Sequence, residues 1–286
     1  MNNYVPHASK LITTHPCFSK AAHNSFGRIC LPVARDCNIQ CGYCTRKCDC
    51  INESGHGLAS RILSPTEALE RVMSLTAQNH RISVICIAGP GDSLANETTF
   101  ETLQSIYQQF PNLILCISTN GLMLHDRLEA LVKVGVRALT ITINAVTLKT
   151  AEKIYSRAFY HGKWFEGRAA ADIILMKQWQ GFLNAIDAGM IVKVNTVLIP
   201  EVNDQDITFI AEHAGHLGAD AMHIVPLIPQ GEFKHIKPPA EKEILKLREQ
   251  CNRLIPQINY CKECGSNDCG IKVSADGTAS PNCNAR

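Results

Sequence analysis

The chain has 286 residues, 45% hydrophobic and 19% charged, with a formal net charge of +2. That balance suits a soluble domain with a substantial core. It offers neither the basic field of a nucleic-acid binder nor an 18-residue apolar run for a membrane helix, so neither partner is expected.

Residues 1–27 show little periodicity, and their polar start lacks the apolar core of a signal peptide, which predicts a cytoplasmic protein. Short β-branched runs then read as buried parallel strands: Arg28–Ala34, Ile82–Ala88, Leu113–Ser118, Ala138–Ile143, Ile191–Val197 and Ala221–Pro226. Between them the spacing predicts helices. The first opens at Ser64-Pro65-Thr66-Glu67, a capping box with proline at the first helical position. Others are expected at Thr98–Gln109, Asp126–Val134, Ala170–Ala188, Asp204–His216 and Ala240–Leu254. Repeated strand–helix alternation implies a parallel α/β sheet with right-handed crossovers. A full barrel, a partial barrel and an open doubly wound sheet all fit. Each places chemistry at the C-terminal strand ends. Gly89-Pro90-Gly91-Asp92, Thr119-Asn120-Gly121 and Asn144 follow strands there. Residues 256–286 carry Cys261, Cys264, Cys269 and Cys283 with little apolar content, as a tail ordered by metal would. The expected division is an arm at 1–27, a barrel at 28–255 and a cysteine-rich tail at 256–286.

Fourteen cysteines in a reduced compartment argue for metal ligands where they cluster. Cys30, Cys86 and Cys251, isolated among apolar neighbours, read as small core residues. Cys37, Cys41 and Cys44 directly follow the first strand. Three thiolates there can hold a cubane and leave one iron open. A structural zinc site completed by Cys48 or Cys50 is the weaker alternative, because zinc sites usually pair CxxC units across a longer loop.

This CxxxCxYC spacing resembles the signature of the radical S-adenosylmethionine (SAM) superfamily. The resemblance implies a partial (β/α)6-type barrel and a [4Fe–4S] cluster on Cys37, Cys41 and Cys44 that cleaves SAM. Tyr43 is the aromatic residue before the third cysteine, expected near the adenine. Longer segments resemble the NifB family of nitrogenase cofactor biosynthesis proteins: His15-Pro16-Cys17, 37–54, 87–92, 115–121, 140–144, 197–204, 225–229 and the Cys261/Cys264 pair. The short form without a NifX-like domain is the implied variant.

That resemblance implies a lyase- or transferase-type enzyme that fuses two further [4Fe–4S] clusters into an eight-iron, carbide-containing precursor. SAM would serve both methyl donation and radical hydrogen abstraction. It assigns His23, Cys50 and Cys116 to one substrate cluster and Cys17, Cys261 and Cys264 to the other. Gly89, Gly91, Asp92, Ser118, Asn120, Thr142 and Asn144 are the expected SAM contacts, and Glu53 a proton-handling residue or a solvated loop charge. Expected partners are a reductant, cluster donors and a NifX- or NifEN-type cofactor acceptor. A monomer and oxygen sensitivity are also expected. Cys48, Cys269 and Cys283 depart from the family pattern, as does Gly265-Ser266-Asn267-Asp268 after the cysteine pair. Competing expectations are a radical SAM peptide maturase with auxiliary clusters in the tail and a non-catalytic iron–sulfur carrier.

Overall fold

A computed structural model describes residues 11–45 and 62–259, together with the backbone of three short strands at 268–269, 272–273 and 279–280. Cys48, Cys50, Glu53, Cys261, Cys264 and Cys283 therefore lie outside the described residues, as does the side chain of Cys269.

The elements run α1 (Lys20–Ser25), β1 (Gly27–Cys30), β2 (Ile39–Cys41), α2 (Pro65–Gln78), β3 (Ile82–Ile87), α3 (Glu97–Gln109), β4 (Ile114–Thr119) and α4 (Leu124–Lys133). They continue with β5 (Val136–Thr142), α5 (Leu148–Ile154), β6 (Tyr155–Tyr160), β7 (Lys163–Glu166), α6 (Gly167–Asp187), β8 (Ile191–Leu198), α7 (Asp206–His216), β9 (Ala221–Pro226) and α8 (Glu241–Cys251). The strands at 268–269, 272–273 and 279–280 are β10, β11 and β12.

All six anticipated strands form one parallel sheet in the order β1-β3-β4-β5-β8-β9, and β10 adds an antiparallel edge beside β1. Each new strand joins the same side of its predecessor. That progression gives a half-barrel and excludes the doubly wound order, which reverses at a switch point. The first predicted helix starts where its signal stands, and the others start within three residues of expectation. Ser64 accepts the Glu67 amide while Glu67 accepts the Ser64 amide.

Alternation along the strands separates two faces. Ile29, Leu31, Ile85, Ile87, Leu115, Ile117, Leu139, Ile141, Val192 and Val194 pack under the helices as the main aliphatic core. The opposite, concave face carries Arg28, Cys30, Cys86, Cys116, Ser118, Thr140, Thr142, Lys193, Asn195 and His223. Its lower end is filled by the N-terminal segment. Leu11, Ile12, Cys17 and Phe18 pack with Val84, Ile114, Ala138, Ile191 and Ala221.

A second small sheet, β2-β6-β7, has no counterpart in the expected elements. Strands β6 and β7 form a hairpin across His161-Gly162, both at positive φ, as a two-residue primed turn requires. Among the described residues no helix is long and apolar enough to cross a membrane.

Candidate functional site

Cys37, Cys41 and Cys44 lie on the loop that leaves β1 and passes through β2. Cys41 is buried, and the other two are partly exposed. The loop is held on three sides. From below, Gly91 N–H donates to Ala34 O at 2.6 Å and Asp92 N–H to Asp36 O at 2.9 Å. A Cβ on Gly91 would stand 2.2 Å from Asp36 O, so this glycine permits contact with the cysteine loop itself. From one flank, β6 pairs with β2, Gly42 N–H donates to Ile154 O, and Phe159 N–H donates to Asn38 O. From the other flank, the turn after β9 closes down. Phe233 N–H donates to Gly42 O, and a Cβ on Gly42 would stand 2.7 Å from the Phe233 ring. Within the loop, Gln40 Nε2 donates to the carbonyls of Cys41 and Cys44.

Asp92 organises the adjacent end of β4. Its carboxylate accepts from Leu94 N–H, the Thr119 hydroxyl and Asn120 N–H, the last at 2.6 Å. Burial pushes its pKa up, and those donors, Asn120 first, oppose the rise. Asn120 Nδ2 in turn donates to Asn38 Oδ1 at 2.7 Å and reaches Cys37 Sγ at 3.8 Å. Asn144 is fully buried. Its Oδ1 accepts Val197 N–H and its Nδ2 donates to the Tyr43 hydroxyl, both at 2.8 Å. Tyr43, 1% exposed, packs with Cys41, Leu227 and Phe233. The hydrogen-bonding groups of Asp92, Asn120, Tyr43 and Asn144 are thus spent largely inside the protein.

Other expected contacts face the concave side. Ser118 is partly exposed, and Thr142 Oγ1 is buried with no protein partner. Asn38 Nδ2 and Asn195 Oδ1 are likewise buried and unmatched. Polar atoms left unpaired under three loop thiols are what a bound polar cofactor would satisfy. The donor set fits an iron–sulfur cluster with an open iron, and Cys37, Cys41 and Cys44 are the residues that would hold it.

Of the residues expected to hold substrate clusters, Cys116 sits on the concave face of β4, 2% exposed. Cys17 is 2% exposed and accepts from Arg28 Nη1 at 2.6 Å. The two belong to one packed group at the lower end of the half-barrel. His23 is partly exposed near the end of α1. Among the described residues, no three ligating side chains converge on a single metal ion.

The sequence left several supporting residues unmarked. His15, fully buried, accepts Cys17 N–H at Nδ1. Gln178, from α6, donates to Asn120 O and Thr142 O. Asn203 joins the β5 and β8 ends through Asn144 O and Val197 O. Only the matches to the His15-Pro16-Cys17 and 197–204 segments pointed near any of these.

Residues 31–214 match the model of the radical SAM superfamily. The chain is 39% identical over 265 residues to the FeMo cofactor biosynthesis protein NifB of Methanocaldococcus infernus, covering 92% of this chain and 87% of that protein. It is 38% identical over 263 residues to NifB of Chlorobaculum tepidum, covering 91% of this chain but 62% of that longer protein. A crystal structure of Streptococcus suis SuiB matches with a TM-score of 0.55 at 15% identity, over 91% of this chain and 51% of SuiB, a likeness of fold alone. The triad on its braced loop, the half-barrel beneath it and these matches together place the chain in the radical SAM superfamily and, within it, in the NifB family.

Proposed function

We propose that the protein is an enzyme of nitrogenase cofactor assembly, acting on two [4Fe–4S] clusters as substrates. It fuses them into an eight-iron, carbide-containing precursor, with SAM as methyl donor and as source of the hydrogen-abstracting radical. The observation that carries this reading is one of placement. Three loop thiols are held against the turn after β3, and Cys116 lies on the concave face of β4.

When bound on Cys37, Cys41 and Cys44, the resident cluster supplies the electron that splits SAM. The chain's own residues do the positioning. Ser118 and Thr142 contact SAM from the concave face, with Gly89 at the turn after β3. Gly91, Asp92, Asn120, Tyr43 and Asn144 act one step back, bracing the cysteine loop and the strand ends. Asn120 also directs its amide towards Cys37. Cys17, His23, Cys50, Cys116, Cys261 and Cys264 remain the proposed ligands of the substrate clusters, and Glu53 the proposed proton-handling residue. A reductant, cluster donors and an acceptor of the finished precursor are the proposed partners.

Anaerobic iron and sulfide analysis with electron paramagnetic resonance, before and after SAM addition, tests this. Three cluster signals are expected, two of which give way to a larger cluster. Signals that all persist while 5′-deoxyadenosine accumulates would overturn the reading in favour of a peptide maturase. Absence of 5′-deoxyadenosine from fully loaded, reduced protein would leave a cluster carrier.

A further inference from the structure

The small sheet β2-β6-β7 has two unlike faces. Ile39, Ala158 and Phe165 stand opposite one another across its strands and join the core that contains Tyr43 and Phe233. The other face carries Gln40, Arg157, Phe159, Trp164 and Glu166. Phe159 and Trp164 are cross-strand partners with ring centroids 5.1 Å apart, yet they remain 39% and 53% exposed. Arg157 lies over the Trp164 ring at 4.9 Å and pairs with Glu166 at 2.9 Å. Core packing accounts for the inner face but not for two large aromatic side chains left in water.

This outer face adjoins the cysteine loop. Gln40 pairs with Arg157, and its amide donates to the carbonyls of Cys41 and Cys44. Trp164 stands two strand spacings from β2, about 10 Å. Charge is unevenly spread as well. Residues 148–168, which make α5, the hairpin and the start of α6, hold five Lys or Arg and two Asp or Glu, a balance of +3. The whole chain carries +2, so the remaining residues sum to −1. Lys149, Lys153, Arg157, Lys163 and Arg168 are all exposed.

We propose that the outer face of the β6–β7 hairpin is the docking surface for a small acidic electron-carrier protein that reduces the cluster on Cys37, Cys41 and Cys44. This rests on the reading that the triad holds a reducible cluster that cleaves SAM. Three features select that occupant. A local excess of positive charge steers an acidic partner. Exposed Trp, Phe and Arg are the side chains that anchor protein interfaces. The patch is small, as transient redox encounters are, which bury under about 1,200 Å². In the docked pair the carrier loses one electron and the cluster gains it. No bond forms or breaks at the hairpin.

The test uses the full chain, loaded with iron and sulfide and kept anaerobic. Reduced flavodoxin and reduced ferredoxin are the carriers, and dithionite is the small-molecule control. Trp164→Ala and Lys163→Glu are compared with the parent. One readout is 5′-deoxyadenosine formation with each reductant. The other is binding of the oxidised carrier, followed in the amide and indole N–H signals of 15N-labelled protein. The chain has two tryptophans, so Trp179 on α6 serves as the reference for Trp164. Carrier addition is expected to shift the Trp164 indole signal and leave that of Trp179 in place. Trp164→Ala should weaken carrier binding and carrier-driven turnover about 10-fold, as loss of an interface anchor does. Lys163→Glu should slow carrier-driven turnover and flatten its dependence on salt. Both variants should match the parent with dithionite. An unmoved Trp164 signal overturns the proposal. Turnover that falls equally with carrier and dithionite also overturns it and makes the hairpin a brace for the loop. A parent that turns over with dithionite but with neither carrier overturns it too. If the loaded parent forms no 5′-deoxyadenosine with any reductant, the reading of the triad itself fails.

Discussion

His15 shows how much one buried side chain can set. Its Nδ1 accepts the amide of Cys17, and its pKa is held well below the usual imidazole value, first by burial and then by the charges of Arg28 and Lys193. The folded chain keeps the ring neutral, whereas the unfolded chain takes up a proton below a pH of about 6.5. Folding stability contributed by His15 is therefore intact above that pH and falls as pH drops through the window down to the depressed folded value. The slope is about 1.4 kcal/mol per pH unit. His15→Asn keeps an acceptor for Cys17 but cannot titrate. Urea unfolding of the metal-free protein between pH 6.5 and 5.5 should show the variant losing about 1 kcal/mol less than the parent, since the unfolded ring is only half protonated at the upper pH. Equal slopes would mean that the ring is not buried neutral. The value of this residue was hidden in sequence because a lone histidine carries no burial signal. Only the packing of the arm under the sheet supplies it.

At the scale of elements, the cysteine loop borrows its order from its neighbours. Two glycines show the difference between a hard and a soft contact. A Cβ at Gly91 meets backbone atoms of Asp36, whereas a Cβ at Gly42 meets the outer edge of the Phe233 ring. Gly91→Ala must push the loop away from the turn after β3. It is expected to lose the resident cluster's iron and with it 5′-deoxyadenosine formation. Gly42→Ala should lose less, and adding Phe233→Leu should restore iron content towards the parent value. Iron analysis of the three proteins checks both outcomes. The β6–β7 hairpin that pairs with this loop had a signal in His161-Gly162 between alternating apolar and polar residues. Its flanks, however, merge with the helical pattern of α5 and α6. Strand β1 stops at Cys30, short of the run to Ala34, and Pro32, which follows in that run, has no N–H for a sheet ladder. Ala34 retains only an isolated bridge to Pro90.

Across the whole molecule, one sheet separates an aliphatic convex side from a concave one that is polar towards the strand ends and apolar where the N-terminal segment closes the lower end. Phe18, 7% exposed and packed edge-on against His15 at 4.7 Å, is the largest apolar side chain of that plug. Phe18→Ala is expected to cost about 3 kcal/mol in urea unfolding. A cost under about 0.5 kcal/mol would mean that the arm is not docked. If the interior holds substrate clusters, the same variant should also release their iron to a chelator faster than the parent does.

The sequence by itself determined the alternating strands and helices, their number in the parallel sheet, the triad and the family. These follow from periodicity, caps and a local cysteine spacing, which are properties of short segments. Tertiary structure decided what depends on register and on contacts between distant residues. Strand order made the sheet a half-barrel. Register set Cys30 and Cys86, buried in an apolar cluster as expected, beside Cys116. Hydrogen bonding showed that Asp92, Asn120 and Asn144 also brace the strand ends and the cysteine loop. Periodicity shows which residues share a face, but only strand pairing shows which of them stand next to one another.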